Sequence, residues 1–372
     1  MVLPISNMAN LGLVRAHKIA TRVRVFHGQT EVTPDGGLPL VDGDVQANLS
    51  NRVTRTASIQ VPFEYFPHEP DDLLSPYRAT ILIETGIEYL DGSQELWPVF
   101  KGRIYDATLS GDGAVTLRAD DLAADVLAFR FEQPFSVQQG YSIFNMIELL
   151  ISDAIDNPQF GPHDAFDAFT PSSLTWDEDR GRALDDLAAA INARWYTLGD
   201  GTFVIRKLPY IEDVPFITLS DGEDNLLGGL VSAAKSITRD STANSITVVS
   251  ERTDGSAPII ARRRDTLTGS PTEFGGLFGK VSQILRPQTP LTASEADQLA
   301  QAQLGASLSL VEQWNLVLIP IPFLEPGDAV RIRYRGVQAD QIIDAMSIPL
   351  TTSGNMTIRT RGATTAPAEA TG

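Results

Sequence analysis

Apolar and polar positions alternate with a period of two through much of the first 136 residues. In "ATRVRVFHG", Val23 and Val25 alternate with Arg22 and Arg24. In "RTASIQVPFEY", Ala57, Ile59 and Val61 alternate with Ser58 and Gln60. Such alternation predicts half-buried strands. "YRATILIETG" predicts another strand ending in a turn. "VFKGRIYDATLSGDGAVTLRADD" predicts a hairpin, because Gly111-Asp112-Gly113 supplies the positive φ that a tight turn needs. "GQTEVTPDGGLPLVDGD" predicts a long loop. Short strands between Gly and Asp turns predict a small barrel or sandwich.

The period then changes. In "SIFNMIELLISDAI" (142–155), Ile143, Met146, Ile147, Leu150 and Ile151 fall at helical spacing. In "WDEDRGRALDDLAAAINARWYTLGDGTFVIR" (176–206), Leu184, Leu187, Ala188, Ile191 and Trp195 recur at helical intervals, with Asp179 placed to cap the helix. A strand, a turn carrying Asp200 and Gly201, and a second strand follow. That combination predicts a compact α+β unit.

From about residue 208 the pattern returns to strands. "NSITVVSER" and "APIIARRRD" predict a pair across "TDGS". "TASEADQLAQAQLGASLSLVEQW" (292–314) predicts a helix, with Thr292 and Glu295 forming a capping box. "NLVLIPIPF", "DAVRIRYR", "QIIDAMSIPL" and "NMTIRTR" predict the closing strands. The tail "GATTAPAEATG" is low in complexity and predicts mobility. Two β-rich regions therefore flank an α+β insert, and no clean repeat period links them.

Composition narrows the function. The 372 residues include 47 acidic and 29 basic ones, a net charge of −18. An acidic excess of this size disfavours a nucleic-acid or anionic-lipid surface, either of which needs a basic footprint. There are no cysteines, which removes disulfides, thiolate metal sites and cysteine nucleophiles. No stretch reaches the roughly 18 apolar residues of a membrane span. "MVLPISNMANLGLVRAHK" lacks the basic start and apolar core of a secretory signal.

Catalytic signals are sparse. His17, His27, His68 and His163 do not share metal-ligand spacing, and there is no HExxH, GxSxG or GxxxxGK[ST]. "DEDRGRALDD" and "DGEDN" are acidic enough to attract Ca²⁺, but the first lacks the regular ladder of an EF-hand and reads more simply as helix capping. A carbohydrate hydrolase using two carboxylates stays open as an alternative. So does a glycan-binding module built on Trp176, Trp195, Tyr196 and Phe203, although aromatics at this periodicity more often form core.

Four stretches, in order, carry a resemblance. They are "RTASIQVPFEY…SPYRATILIETG" with "ELWPVFKGRI"; "LTWDEDRGRALDDLAAAINARWYTLGDGTFVIR"; "NSITVVSE…DTLTGSPTEFGGLFGKV"; and the helix at 292–314 running into "PIPFLEPGDAVRIRYR". Together they resemble the baseplate or tail-tip hub proteins of tailed bacteriophages and related contractile injection systems. The resemblance implies an α+β, mainly β fold with two tail-tube-like split β-barrel domains and a smaller α+β insert. The implied division is 1–136, 137–208 and 209–360, with an accessory part at about 241–290 and a mobile tail at 361–372. It also implies a non-enzymatic homotrimer in the virion tail, made in the bacterial cytoplasm and needing no cofactor or membrane insertion. Such a trimer adapts a sixfold tail tube or distal tail ring to a threefold spike or fibre. A tape measure protein is a further possible partner, and DNA passes without specific binding. An acidic lumen would suit that passage.

Within "LEPGDAVRIRYR", Pro326 and Gly327 predict a type II turn, with Asp328 bonding back to it. The strand after it turns Val330, Ile332 and Tyr334 inward. Arg331, Arg333 and Arg335 form a row on the other face, either solvated or meeting an acidic neighbour across a subunit boundary.

Overall fold

Strands whose apolar residues point one way can share a core, and the alternating segments do so. The computed structural model describes residues 18–362, apart from 36, 112, 171–172, 208–214, 216, 222–228, 238, 240–241, 253–256, 288–290, 309–311 and 353. The expected C-terminal tail from 363 onward lies outside the described residues, as does most of "DGEDN". The fold is mainly β, with large antiparallel pairings.

The first lobe holds β1 (Lys18–His27), β2 (Thr30–Glu31), β3 (Asp42–Asn48), β4 (Arg55–Val61), β5 (Ala79–Glu88), β6 (Gln94–Leu109) and β7 (Val115–Asp121). Its hydrogen-bonded order is β3-β4-β7-β6-β5-β1-β2. The carboxylate of Asp121 accepts from the Ala123 N–H at 3.0 Å and so starts α1 (Leu122–Ala128).

The insert follows with β8 (Phe135–Val137), α2 (Ile143–Ser152), β9 (Leu174–Trp176), α3 (Arg180–Ala190), β10 (Ala193–Thr197) and β11 (Phe203–Lys207). Its core includes Ile147, Leu150, Leu184, Leu187, Trp195 and Phe203.

The second lobe begins with β12 (Ile217–Ser220) and β13 (Leu230–Ile237). An accessory unit then intervenes, with β14 (Ser245–Ser250), β15 (Ile259–Arg264), β16 (Ser282–Leu285) and α4 (Ala293–Leu308). It has its own core of Ile246, Val248, Ala296, Ala300 and Leu304. The lobe ends with β17 (Glu312–Leu318), β18 (Ala329–Tyr334), β19 (Val337–Pro349) and β20 (Met356–Gly362).

The two lobes share one strand order. In chain sequence, β1, β3, β4, β5, β6 and β7 stand where β12, β13, β17, β18, β19 and β20 stand, giving β1-β5-β6-β7-β4-β3 and β12-β18-β19-β20-β17-β13. One sense differs: β1 is antiparallel to β5, whereas β12 is parallel to β18. A bridge between Ser220 and Gly229 brings the two ends of the second order together. Among the described residues the first lobe shows no β1–β3 pairing, so its ladder stays open.

The lobes are joined by strand pairing. β3 lies antiparallel to the end of β19, with Asn48 opposite Ala345 and Asp44 opposite Pro349. One core runs beneath both, containing Val45, Ala57 and Leu117 from the first lobe and Leu316, Met346 and Ile348 from the second.

Three details depart from the periodicity. Trp195 lies on β10 rather than on the preceding helix, and Ile191 is the C-cap where that helix stops. The positive φ of Asn192 turns the chain between them. Next, α4 ends at Leu308 because the following residues alternate with a period of two and bury Trp314, Leu316 and Leu318. Last, β18 ends at Tyr334, and Arg335, with φ 49°, belongs to the turn into β19.

Candidate functional site

Each strand of the joined ladder has a core face and an open face. On the core side, Ile348, Val45, Ala57, Ala119 and Ile104 lie in register across five strands and are buried. On the open side, a row crosses eight strands: Ser232, Val317, Thr357, Ser347, Gln46, Thr56, Asp120 and Arg103. All of these are half-buried or exposed. A second row holds Pro349, Asp44, Ser58, Arg118 and Asp106. The result is a broad polar face, continuous over both lobes, in which Ser, Thr and Gln stand among Asp and Arg.

The charges on this face are mixed. Asp44, Asp106 and Asp120 are interspersed with Arg118, Arg359 and Arg361. Arg359 donates to Asp344 at 2.9 Å. Burial pushes the Asp120 carboxyl up and the Arg361 guanidinium down. This ladder face is therefore not densely acidic. Its acids are interspersed with arginines and neutral polar residues.

A buried ionic junction fixes the three parts behind that face. Arg55, at the start of β4, pairs with Glu325 in the turn before β18, and both are buried. The Arg55 guanidinium also donates to the Val99 carbonyl at 3.0 Å, and its backbone N–H donates to Asp121 at 2.7 Å. Burial pushes the Asp121 carboxyl up to about 6, opposed by its hydrogen bonds and by Arg55. Burial likewise raises Glu325 against the pull of Arg55. The insert reaches the same place: Tyr196 packs with Leu49 and Val204, and burial with the charge of Glu325 pushes its phenol up to about 12. Gly199 permits the approach, since a Cβ there would lie 2.3 Å from the Pro98 carbonyl oxygen.

The singled-out residues fall into place as follows. Asp179 caps α3, accepting from the Arg182 N–H at 2.9 Å. Leu184 and Leu187 are buried on the same helix. The Trp176 and Trp195 indoles are buried and donate to Asp186 and Asp185 at 2.9 and 3.0 Å, so neither offers an exposed sugar platform. Asp200 accepts from the Thr202 N–H at 2.8 Å, and Gly201 has φ 84° in the same turn. Gly327 has φ 96° after Pro326, the Asp328 N–H donates to Glu325 O at 3.1 Å, and the Asp328 carboxylate accepts from the Glu325 N–H at 3.0 Å. That is a type II turn.

The arginine row resolves into three separate arrangements. Arg331 forms two hydrogen bonds with Asp340 of β19, at 2.7 and 2.9 Å. Arg333 donates to Gln338 at 2.9 Å. The Arg335 guanidinium lies over the Tyr334 ring, 5.2 Å from its centre. Among the described residues, no group of three His, Cys, Asp or Glu could hold a metal ion. Among the described residues, no helix is long and apolar enough to cross a membrane.

Sequence reasoning missed the polar ladder face and the Arg55–Glu325 junction. The alternation signalled the face strand by strand, but its continuity depends on the β3–β19 pairing, which joins positions about 300 residues apart.

The fold is that of phage tail proteins. The chain is similar to a tail protein from Neisseria meningitidis MC58, with a TM-score of 0.64 and 14% identity over 92% of this chain and 96% of that one. It is similar to the 43 kDa tail protein of prophage MuSo2 from Shewanella oneidensis, at 0.63 and 12%, over 92% and 98%. It also resembles an Escherichia coli type VI secretion component, itself described as similar to the T4 tail proteins gp27 and gp5, at 0.51 and 9%, over 93% and 77%. No protein-family model matches the sequence, and no curated protein does.

Proposed function

We propose that this chain is a structural, non-enzymatic tail component: a homotrimeric hub in the virion tail whose polar ladder face lines a channel for DNA. The observation that carries the reading is the β3–β19 contact and its two unfilled counterparts. By the shared strand order, β13 is the counterpart of β3, and the end of β6 is the counterpart of the end of β19. Among the described residues the outer edge of β13 has no strand partner beyond the single bridge of the adjoining Gly229 to Ser220. Residues 105–109 of β6 likewise lack one on the edge that β5 leaves free. An unpaired edge is a template for pairing. Repeating the internal contact between copies joins β13 of one chain to β6 of the next. This is a head-to-tail contact, which closes into a ring.

Three chains then supply six lobes. The face presented inward sets Arg103, Arg118, Arg359 and Arg361 among Asp42, Asp44, Asp106 and Asp120, so it has no net positive charge to hold a sliding phosphate backbone. The domain division at 1–136, 137–208 and 209–360 belongs to this reading. So do a tail tube or distal tail ring, a spike or fibre, and a tape measure protein as partners.

The chain lacks cysteine, so engineered pairs have no background. Transferring the Gln46–Ser347 register to the open edges places Ser236 of one copy opposite Thr108 of the next. The double variant Ser236→Cys/Thr108→Cys is expected to give covalent trimers on oxidation, and neither single variant does. Light scattering on the parent is expected to give three chains. A monomeric parent, or a double variant that never links, overturns the proposal.

A further inference from the structure

The ladder has two rims, and they differ. At one rim β3, β7, β13 and β20 begin while β4, β6, β17 and β19 end. The insert and the accessory unit leave from the other: α1 starts at Asp121, opposite Gly102, and the accessory chain leaves after Ile237, opposite Glu312. The first rim is therefore free of both appended units.

Four large apolar side chains stand exposed on that bare rim, outside the edges that the ring reading pairs. Val41 is 58% and Phe63 54% exposed in the first lobe; Val231 is 57% and Ile319 40% exposed in the second. A bulge between Leu230 and Ser232 leaves Val231 out of the ladder pairing. Ile319 is anchored beside it by donating to the Gly229 carbonyl at 3.0 Å. The described rim segments at 40–44, 62–66, 109–115, 229–232, 318–323 and 349–352 hold Asp42, Asp44 and Glu64 and no lysine or arginine. Exposed apolar groups thus recur at the same end of both lobes, and the acids of the rim all lie on the first. A solvated rim has no need of such groups, and exposed apolar patches rimmed by charge mark interaction sites.

We propose that this bare rim docks a separate tail component that presents apolar side chains to both lobes and lysine or arginine to Asp42, Asp44 and Glu64 of the first. The inference rests on the ring reading above. A second copy of the same rim is a poor occupant, because its described segments offer no lysine or arginine to those acids. Because both lobes expose apolar groups there, the partner carries two apolar contact sites for every hub chain, one of them basic.

A photo-crosslinking amino acid at position 63 or 319, in cells that assemble the whole particle, tests this. Both positions are expected to link to one protein other than this chain, with lysine or arginine beside the residue linked to position 63. Phe63→Asp/Ile319→Asp is expected to lower incorporation into particles by roughly tenfold or more, while light scattering still gives the parent ring. Links to another copy, links to different proteins from the two positions, or no links while the ring is intact overturn this inference alone. A parent that forms no ring overturns the hub reading and this inference together.

Discussion

Arg55 and Glu325 form a buried ion pair although they lie 270 positions apart in the chain. One opens a strand of the first lobe and the other sits in a turn of the second. The pair therefore ties the lobes at the point where the insert also touches. Removing one partner leaves a buried charge without compensation. Arg55→Met is expected to lower unfolding free energy by about 3–5 kcal/mol, read from urea denaturation at pH 7. Arg55→Met with Glu325→Leu is expected to recover most of that loss. A single variant as stable as the parent would show that the pair carries no tie.

Asp121 gives a pH dependence with a defined sign. Its carboxyl titrates at about 6 in the folded chain, against an ordinary value of 3.8. The folded state therefore binds the proton more tightly. Stability is lower above pH 6, rises as pH falls through 6, and reaches its full gain below about 4. The gain is at most about 3 kcal/mol for a shift of this size. The urea midpoint is expected to rise between pH 8 and pH 5, and Asp121→Asn is expected to flatten that rise. A midpoint that falls over the same range contradicts the assignment.

Asp179 tests the capping of the insert's second helix. Its carboxylate caps α3 and lies 3.6 Å from Arg52 of the first lobe. Asp179→Ala is expected to cost about 1 kcal/mol, the usual value of a lost cap. Amide exchange should quicken in the first turn of α3, at Arg182 above all. Unchanged exchange there would mean the cap is not stabilising that turn.

Arg331 tests whether the arginines of β18 act within one chain. Reversing Arg331 to Asp is expected to speed exchange along β18 and β19. Reversing Asp340 to Arg in the same protein is expected to restore it. Failure to restore would place the working partner of Arg331 on another molecule.

The strands of both lobes were legible because alternation is a local signal, as Val23, Ala57 and Ile59 show. The capping box was equally local: the Thr292 N–H donates to Glu295 at 2.6 Å, and the Glu295 N–H donates to the Thr292 hydroxyl at 3.3 Å. The type II turn at Pro326-Gly327 needed no tertiary information either. The role of Arg55 was not legible, because a lone arginine opening a strand normally points to solvent. Only the arrival of Glu325 from the other lobe explains its burial. The arginine row reads from the sequence as one surface, solvated or meeting an acidic neighbour; its partners within the chain, Asp340, Gln338 and the Tyr334 ring, each take one arginine and depend on the β18–β19 register. The shared strand order was hidden because it lies in pairing and not in residue identity.

The two lobes differ most at one connection. Between β3 and β4 the first lobe has residues 49–54; between β13 and β17 the second has residues 238–311, including a folded unit. A chain built from two copies of an ancestral module could keep its ladders interchangeable while one copy accepted a new domain at that turn. Such a molecule repeats itself along the ladder and ceases to do so at the decorated rim. On the trimeric reading proposed above, the step from sixfold to threefold needs no special adaptor surface: it follows from where the insert and the accessory unit leave the ladder.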